Sequence, residues 1–441
     1  MSRAKEETKF LLTYKFRAYP SALLEYKMES WLYILCDLYN HVLEERKRAW
    51  KEEKKTITYS HQQNSLPELK RKDPFLKLVH SQVLQDCLRR VDNAFQKFFR
   101  KEAKYPKKKK LSRYNSFTFP QIWMKQKDKL TGDLKLTEVI KLERKNNRFA
   151  YLYLPKLGKL KIRLHREIDW VKAKTVTVKR EPSGKWYVCI TVESELEQIL
   201  REAQEKAVGI DLGVKNLATT SEGEFIQHPK FLQKLEKRLK REQKKLSRKE
   251  KGSNNWERQR KRAAKVHEKI RNARRDFLHK LSRHLVNNYE YISFENLNIR
   301  GLVQNSSLAK LILDAGWGTL ITFATYKAVT AGARVVRVDP SYTTQDCSVC
   351  GFRVPKTLAE RLHRCPECGT VMDRDYNASV NILKKGLAHL TGGRVGATRT
   401  YACGESTGGA PSEGGVSHPS LKQESHTGLP GGSNLYRKLR P

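Results

Sequence analysis

A multidomain α+β chain is predicted: a β-barrel-like N-terminal part with a helical bundle inserted in it, then an α/β domain that carries an inserted four-cysteine module. Three observations predict it. Residues 115–193 alternate apolar and polar positions in segments such as RFAYLYLP and AKTVTVKR, the period of half-buried strands. Residues 22–50 and 76–103 hold apolar side chains at helical spacing, with Leu84, Leu88, Val91, Phe95, Phe98 and Phe99 among them. Beyond residue 205, short hydrophobic strands end in carboxylates, and two Cys-x2-Cys pairs stand before the last helical stretch.

The elements follow in order. LLTYKFRAY, residues 11–19, reads as a strand ended by Pro20, and Ser21 opens a helix. The run YPKKKKLSRY, 105–114, reads as a flexible basic connector, either solvated or touching nucleic acid. In the alternating region EPSG, 181–184, turns a hairpin, and 194–205 link that region to the α/β domain. The expected division is therefore 1–20 with 115–193 as the barrel-like part, 21–114 as the helical part, 205–340 with 370–386 as the α/β domain, and 341–369 as the cysteine insertion. The Gly-, Ser- and Thr-rich segment 387–441 lacks hydrophobic periodicity and is expected to be disordered.

Charge narrows the partners. The 441 residues hold 88 Lys plus Arg against 47 Asp plus Glu, a formal +41 spread over most of the length. Such a charge repels itself unless an anion relieves it, and nucleic acid is the obvious polyanion, because each neutralised phosphate releases counterions. No apolar run is long enough to span a bilayer, and MSRAKEETKF lacks the apolar core of a secretory signal. A cytoplasmic protein with reduced thiols and no membrane contact is expected. Between 230 and 286 lies a helical hairpin with 22 Lys plus Arg against 6 Asp plus Glu. Its second arm keeps Val266, Ile270, Ala273, Phe277 and Leu281 on one packing face; the opposite face, with KRLKREQKK and RQRKR, suits phosphate contact. Trp256 and Trp317 could stack on bases, but packing in a core or hinge is the better reading of each.

Cys36, Cys87, Cys189 and Cys403 are isolated and read as small buried hydrophobes or chance thiols. Cys347-x2-Cys350 and Cys365-x2-Cys368 each precede a glycine, Gly351 and Gly369, that lets a knuckle turn under a metal. Four thiolates suit structural Zn²⁺ and leave no open position for substrate; a redox pair or an iron-sulfur cluster is the competing reading. The carboxylates tell a different story. Val208 to Ile210 form a buried strand ended by Asp211, and YISFE ends in Glu295. ARVVRVDP, 333–340, is a third strand, and Asp375 opens a helix whose Ala378, Ile382 and Leu383 face a core. Three acids brought together repel one another unless cations fill the site. Two Mg²⁺ ions about 4 Å apart would answer the repulsion and can cleave a phosphodiester in line.

The motif order GIDLGVKNLATTSEGE, FENLNIRG, DAGWGTL, DPSYTTQDCSVCG with CPECG, and DRDYNASVNIL resembles the TnpB family of transposon-encoded proteins over about residues 205–386. A tail with GRVGATRTYACGE and SHPSLKQE is similar too. The resemblance implies an RNase H-like, RuvC-type nuclease domain with an inserted zinc ribbon, preceded by a wedge and a helical recognition part. It also implies an RNA-guided DNA endonuclease: a guide RNA from the transposon end pairs with target double-stranded DNA beside a short transposon-associated motif, and one RuvC site cuts both strands. The family's metal-binding triad falls on Asp211, Glu295 and Asp375; Asp375 is preferred to Asp373 for its D-x-N-A setting. Cys347, Cys350, Cys365 and Cys368 would hold zinc beside the cleft, and the protein would act as a monomer. A compact type V CRISPR effector shares these features, an RNA-guided repressor would ordinarily have lost an acid, and a tyrosine strand transferase would want a His-x-His motif that is not visible.

Overall fold

The computed structural model describes residues 9–127, 134–195, 206–357 and 360–391. The chain divides into Met1–Gly404, which holds all of them, and Glu405–Pro441, which lies outside them. Strand β1 (Lys9–Tyr19) stops at Pro20, and the Ser21 side chain accepts from the Leu24 N–H to cap α1 (Ala22–Glu53). Short helices α2 (Tyr59–Asn64) and α3 (Leu66–Lys72) lead to α4 (Ser81–Phe99), which packs along α1. Leu84, Leu88, Val91 and Phe95 are buried as their spacing predicts, whereas Phe99 is left 64% exposed.

The connector differs from its expectation. It is anchored, not loose: Pro106 is buried, and the Lys109 backbone donates to Asn40 Oδ1 at 2.8 Å and accepts from Asn40 Nδ2 at 2.9 Å. A lysine run looks solvated because its side chains are, but here the main chain supplies the attachment.

The alternating region forms β2 (Ser116–Phe119), β3 (Trp123–Lys127), β4 (Leu134–Glu138), β5 (Lys141–Arg144), β6 (Phe149–Leu154), β7 (Gly158–Arg163), β8 (Ala173–Arg180) and β9 (Trp186–Glu195). Seven strands make one antiparallel sheet in the order β2-β8-β9-β1-β7-β6-β5, and β3 pairs with β4 apart from it. The order is open, with β2 and β5 at its edges, so no ladder among the described residues closes the expected barrel. Alternation dictates which side chains are buried but not whether the two edges meet. Sheet and helices share one core, in which Phe16, Leu152, Val188 and Ile190 meet Trp31, Leu35, Leu84 and Leu88. Arg90 of α4 ties the two by donating to the Ser116 carbonyl and the Thr118 hydroxyl, both at 2.8 Å.

The second half starts with β10 (Ala207–Asp211), β11 (Asn216–Thr220) and β12 (Phe225–Gln227), then the long hairpin α5 (Phe231–Ser247) and α6 (Asn254–Asn288). After it come β13 (Tyr291–Glu295), α7 (Ile299–Leu302), α8 (Ser306–Ala315), α9 (Trp317–Ala331), β14 (Arg334–Val338), β15 (Leu362–Arg364), β16 (Val371–Asp373) and α10 (Arg374–Thr391). A five-stranded sheet runs β12-β11-β10-β13-β14, antiparallel up to β10 and parallel from there. Strand alternation divides its two faces. Val208, Ile210, Ile292 and Phe294 pack into a core with α6 and α9, and Gly209 and Ser293 meet α10 on the other side. Helix α10 runs to Thr391, beyond the boundary expected at 386; the rest of the expected disordered tail, 392–441, lies outside the described residues. No described helix is long and apolar enough to cross a membrane.

Candidate metal centres

The same alternation that buries Ile210 and Phe294 away from α10 turns Asp211 and Glu295 toward it. Strands β10 and β13 pair in parallel with Ile210 opposite Phe294, so the next step of the register sets Asp211 beside Glu295, about 4.8 Å away in strand spacing. Helix α10 crosses this face with almost no gap. A Cβ on Gly209 would stand 2.1 Å from the Ser379 carbonyl oxygen, and one on Gly386 would stand 1.8 Å from Ser293 Oγ. That closeness delivers the first turn of α10 to the two strand ends, with Asp375 Oδ2 about a contact distance from Gly213.

Asp211, Glu295 and Asp375 are all buried, at 8, 6 and 6% exposure. Burial pushes the Asp211 carboxyl well above the usual carboxylate range, and the charges of Glu295 and Asp375 push it further, against the pull of Arg374. Burial also raises Glu295, partly offset by the Thr343 hydroxyl, which donates to Glu295 Oε1 at 2.5 Å. Arg374 Nε and Nη2 both reach Asp375 Oδ1, at 3.2 and 3.0 Å, and Arg361 stands 4.0 Å from the other oxygen. The neighbouring Asp373 does something else. Its Oδ1 accepts the backbone N–H of Asp375 at 2.8 Å and of Tyr376 at 3.2 Å, which caps α10.

Among the described residues, the four cysteines are the one group of His, Cys, Asp or Glu whose ligand atoms all lie within 4.8 Å of one another. Cys347 Sγ is 3.7 Å from Cys368 Sγ, and Cys350 Sγ is 3.5 Å from Cys365 Sγ. Zn–S bonds of about 2.3 Å in a tetrahedron require S···S edges of about 3.8 Å, so the spacing suits a closed four-thiolate shell. Both knuckles turn as their glycines allow: Gly351 and Gly369 have φ of 81° and 71°, and each donates to the carbonyl of the cysteine four residues before it. The isolated Cys36, Cys87 and Cys189 lie away from this group.

Three positions escaped the sequence reading. Thr343 holds Glu295, and Asn377 and Asn381 of α10 hold the foot of the cysteine module: Asn377 Nδ2 donates to the Asp346 carbonyl at 2.8 Å, Asn381 Nδ2 to the same oxygen at 2.7 Å, and Asn377 Oδ1 accepts from Ser348 N–H at 2.8 Å. Two asparagines four apart in DRDYNASVN were the available signal, since that spacing shares a helix face. Thr343 lies 48 residues from Glu295 and had none. Of the two tryptophans, Trp317 is buried in the core, and Trp256 is half-buried with the Arg260 guanidinium 6.0 Å from its ring.

The chain is similar to several known proteins. Residues 187–306 match the family model described as "Probable transposase" (OrfB of IS605), 317–382 match the "Cas12f1-like, TNB domain", and 10–55 match a "Helix-turn-helix domain", here a strand followed by one continuous helix. The Escherichia coli K12 protein named "Putative RNA-guided DNA endonuclease InsQ" is 32% identical over 405 residues, covering 88% of this chain and 95% of its own. A Streptomyces pristinaespiralis protein of the same description is 34% identical over 380 residues, covering 85% and 89%. A solved complex of Cas12f1 with sgRNA and target DNA shares the multidomain α+β fold at 13% identity, with a TM-score of 0.55 over 85% of this chain and 98% of that one.

Proposed function

The chain belongs to the TnpB family, and we propose that it is an RNA-guided DNA endonuclease that cuts double-stranded DNA next to a short transposon-associated motif, in support of transposon maintenance or spread. The observation that carries this reading is the convergence of three buried acids from two strand ends and a helix start, with Asp211 raised by burial and then by the charges of the other two.

The order β12-β11-β10-β13-β14, antiparallel then parallel, supports an RNase H-like, RuvC-type assignment of this domain. All-oxygen, acidic donors suit Mg²⁺. Asp211, Glu295 and Asp375 would hold two such ions. When bound, such a pair supplies an activated water and stabilises the departing 3′ oxygen. In this reading Asp211 is the central ligand, since both other acids act on it. Thr343 keeps Glu295 turned into the site, and the Asp373 cap fixes the turn that presents Asp375. Arg374 neutralises Asp375 and is the side chain that must give way to a cation.

Zinc at Cys347, Cys350, Cys365 and Cys368 would be structural, holding the ribbon that precedes α10. The open sheet would serve as the wedge, α1 to α4 as the recognition part, and the basic face of α5 and α6 as a bed for the guide RNA or its heteroduplex with target DNA, read by shape while base pairing reads sequence. The protein would act as a monomer.

The test is to express the chain and sequence the RNA that copurifies, then supply a plasmid matching its variable segment. A defined RNA ending in a guide, with Mg²⁺-dependent cutting that Glu295→Gln abolishes, is expected. Nuclease activity on bare duplex without any bound RNA would overturn the proposal.

A further inference from the structure

The anchored connector creates a surface that none of the roles above uses. Phe99 ends α4 and is 64% exposed, and Tyr105 is 43% exposed. Both belong to one aromatic group: ring centroids are 5.5 Å apart for Phe98–Phe99, 5.1 Å for Phe98–Tyr105 and 6.2 Å for Phe95–Phe99, the last pair stacked. From Tyr105 the chain lies along α1 as an extended strap. Lys47 Nζ sits 5.6 Å from the Tyr105 ring, Lys108 pairs with Glu44 at 3.6 Å, and the Lys109 backbone is held by Asn40. Contacts thus step from 105 to 109 as α1 steps back from 47 to 40. Seven helical residues cover about 10 Å and four extended ones about 13 Å, so the strap is close to taut. Lys109 is inserted, its ammonium 4.3 Å from the Tyr39 ring, whereas Lys107, Lys108 and Lys110 are exposed. Residues 97–113 hold nine Lys plus Arg against the single acid Glu102.

A bare aromatic ring among cations whose backbone is already fixed fits an unpaired nucleotide: the base stacks on the ring and the phosphates meet the lysines. Duplex DNA hides its base faces, and an acidic peptide would use the cations but not the ring. Prior fixing of the strap also spares the ligand the entropy of ordering it. We propose that Phe99 and Tyr105, with Lys107, Lys108 and Lys110, form a binding platform for single-stranded DNA, namely the strand displaced when guide RNA pairs with its target. The naming of that strand rests on the proposed function, because guide pairing is what releases it.

The test uses the full-length protein with its copurified RNA and a fluorescent oligothymidine of about 20 nucleotides, followed by anisotropy at several salt concentrations. Phe99→Leu, which keeps apolar contact with Phe95 but removes the π face, is expected to weaken binding about tenfold, and Phe99→Trp to restore it. Lys107→Gln with Lys110→Gln should flatten the slope of log affinity against log salt by about 1.4, at about 0.7 per phosphate. Binding that ignores Phe99, or a salt slope that the Lys107→Gln, Lys110→Gln pair leaves unchanged, overturns the platform. Equal loss of duplex DNA or of oligouridine overturns the assignment to a single DNA strand. Should oligothymidine binding follow the expected pattern while wild-type protein fails to cut guided plasmid, the proposed function fails and the platform stands.

Discussion

At the scale of single residues, Asp211 is where stability and chemistry conflict. Its folded-state carboxyl is raised by burial and by two like charges, so the folded chain binds that proton more tightly than the unfolded one does. The stabilisation from that proton is fully present below the ordinary carboxylate range and is lost as pH rises through the raised value. Asp211→Asn removes the conflict. In chelator and mildly alkaline buffer the variant should melt a few degrees above wild type, the gap should close in acid, and cleavage should fall by about a thousandfold or more. A variant that melts no higher than wild type in that buffer would contradict the electrostatic account. Each acid alone was a weak signal, since turns use Asp routinely, and only the run of three at the ends of apolar elements marked them out. Asp373 and Asp375 were separable only by their family setting until the cap showed what Asp373 does with its oxygen. Thr343 was hidden because hydrogen bonds between distant loops leave no periodic trace.

At the scale of elements, α10 crosses β10 with no room for a side chain at Gly209. Ala378 and Ile382 were readable as a buried face, and both are completely buried. Gly209 carried no such mark: within AVGID it reads as one more residue of a buried strand, and only the crossing helix reveals why no side chain fits there. Gly209→Ala would drive a methyl group against a backbone carbonyl, which cannot rotate away. The expected cost is about 3 kcal/mol in urea unfolding, with a fall in cleavage as the Asp375 turn is lifted. Wild-type stability for that variant would mean that the helix is free to retreat. The expected loose connector went astray because it depends on a tertiary partner, Asn40, that local pattern does not encode, and pattern was equally silent on whether the edges of the antiparallel sheet meet.

For the whole molecule, the charge of +41 was read from composition alone, and the structure shows where part of it is neutralised from within. Glu181 on the sheet hairpin takes Lys15 at 2.6 Å and Arg271 of α6 at 3.3 Å, and Glu268 of α6 takes Lys185 at 3.0 Å and the Tyr187 hydroxyl at 3.0 Å. These two buried acids join the first half of the chain to the second, but the cations of the chain still exceed its acids by 41. Protein stripped of nucleic acid should therefore melt below the material as purified, drop further at low ionic strength, and recover with added RNA or sulfate. Identical melting in all of these states would show that the folded chain tolerates its own field. The clasp between Asn377, Asn381 and the Asp346 carbonyl, with Asp373 at the other end, has one more consequence. Both feet of the cysteine module are sewn to the opening turns of a single helix, and between the knuckles Arg361 reaches to 4.0 Å from Asp375 while its carbonyl accepts the Arg374 N–H. The module is thus a lever on the cutting groups, and a loop of another length spliced into it would be felt at the helix that carries them.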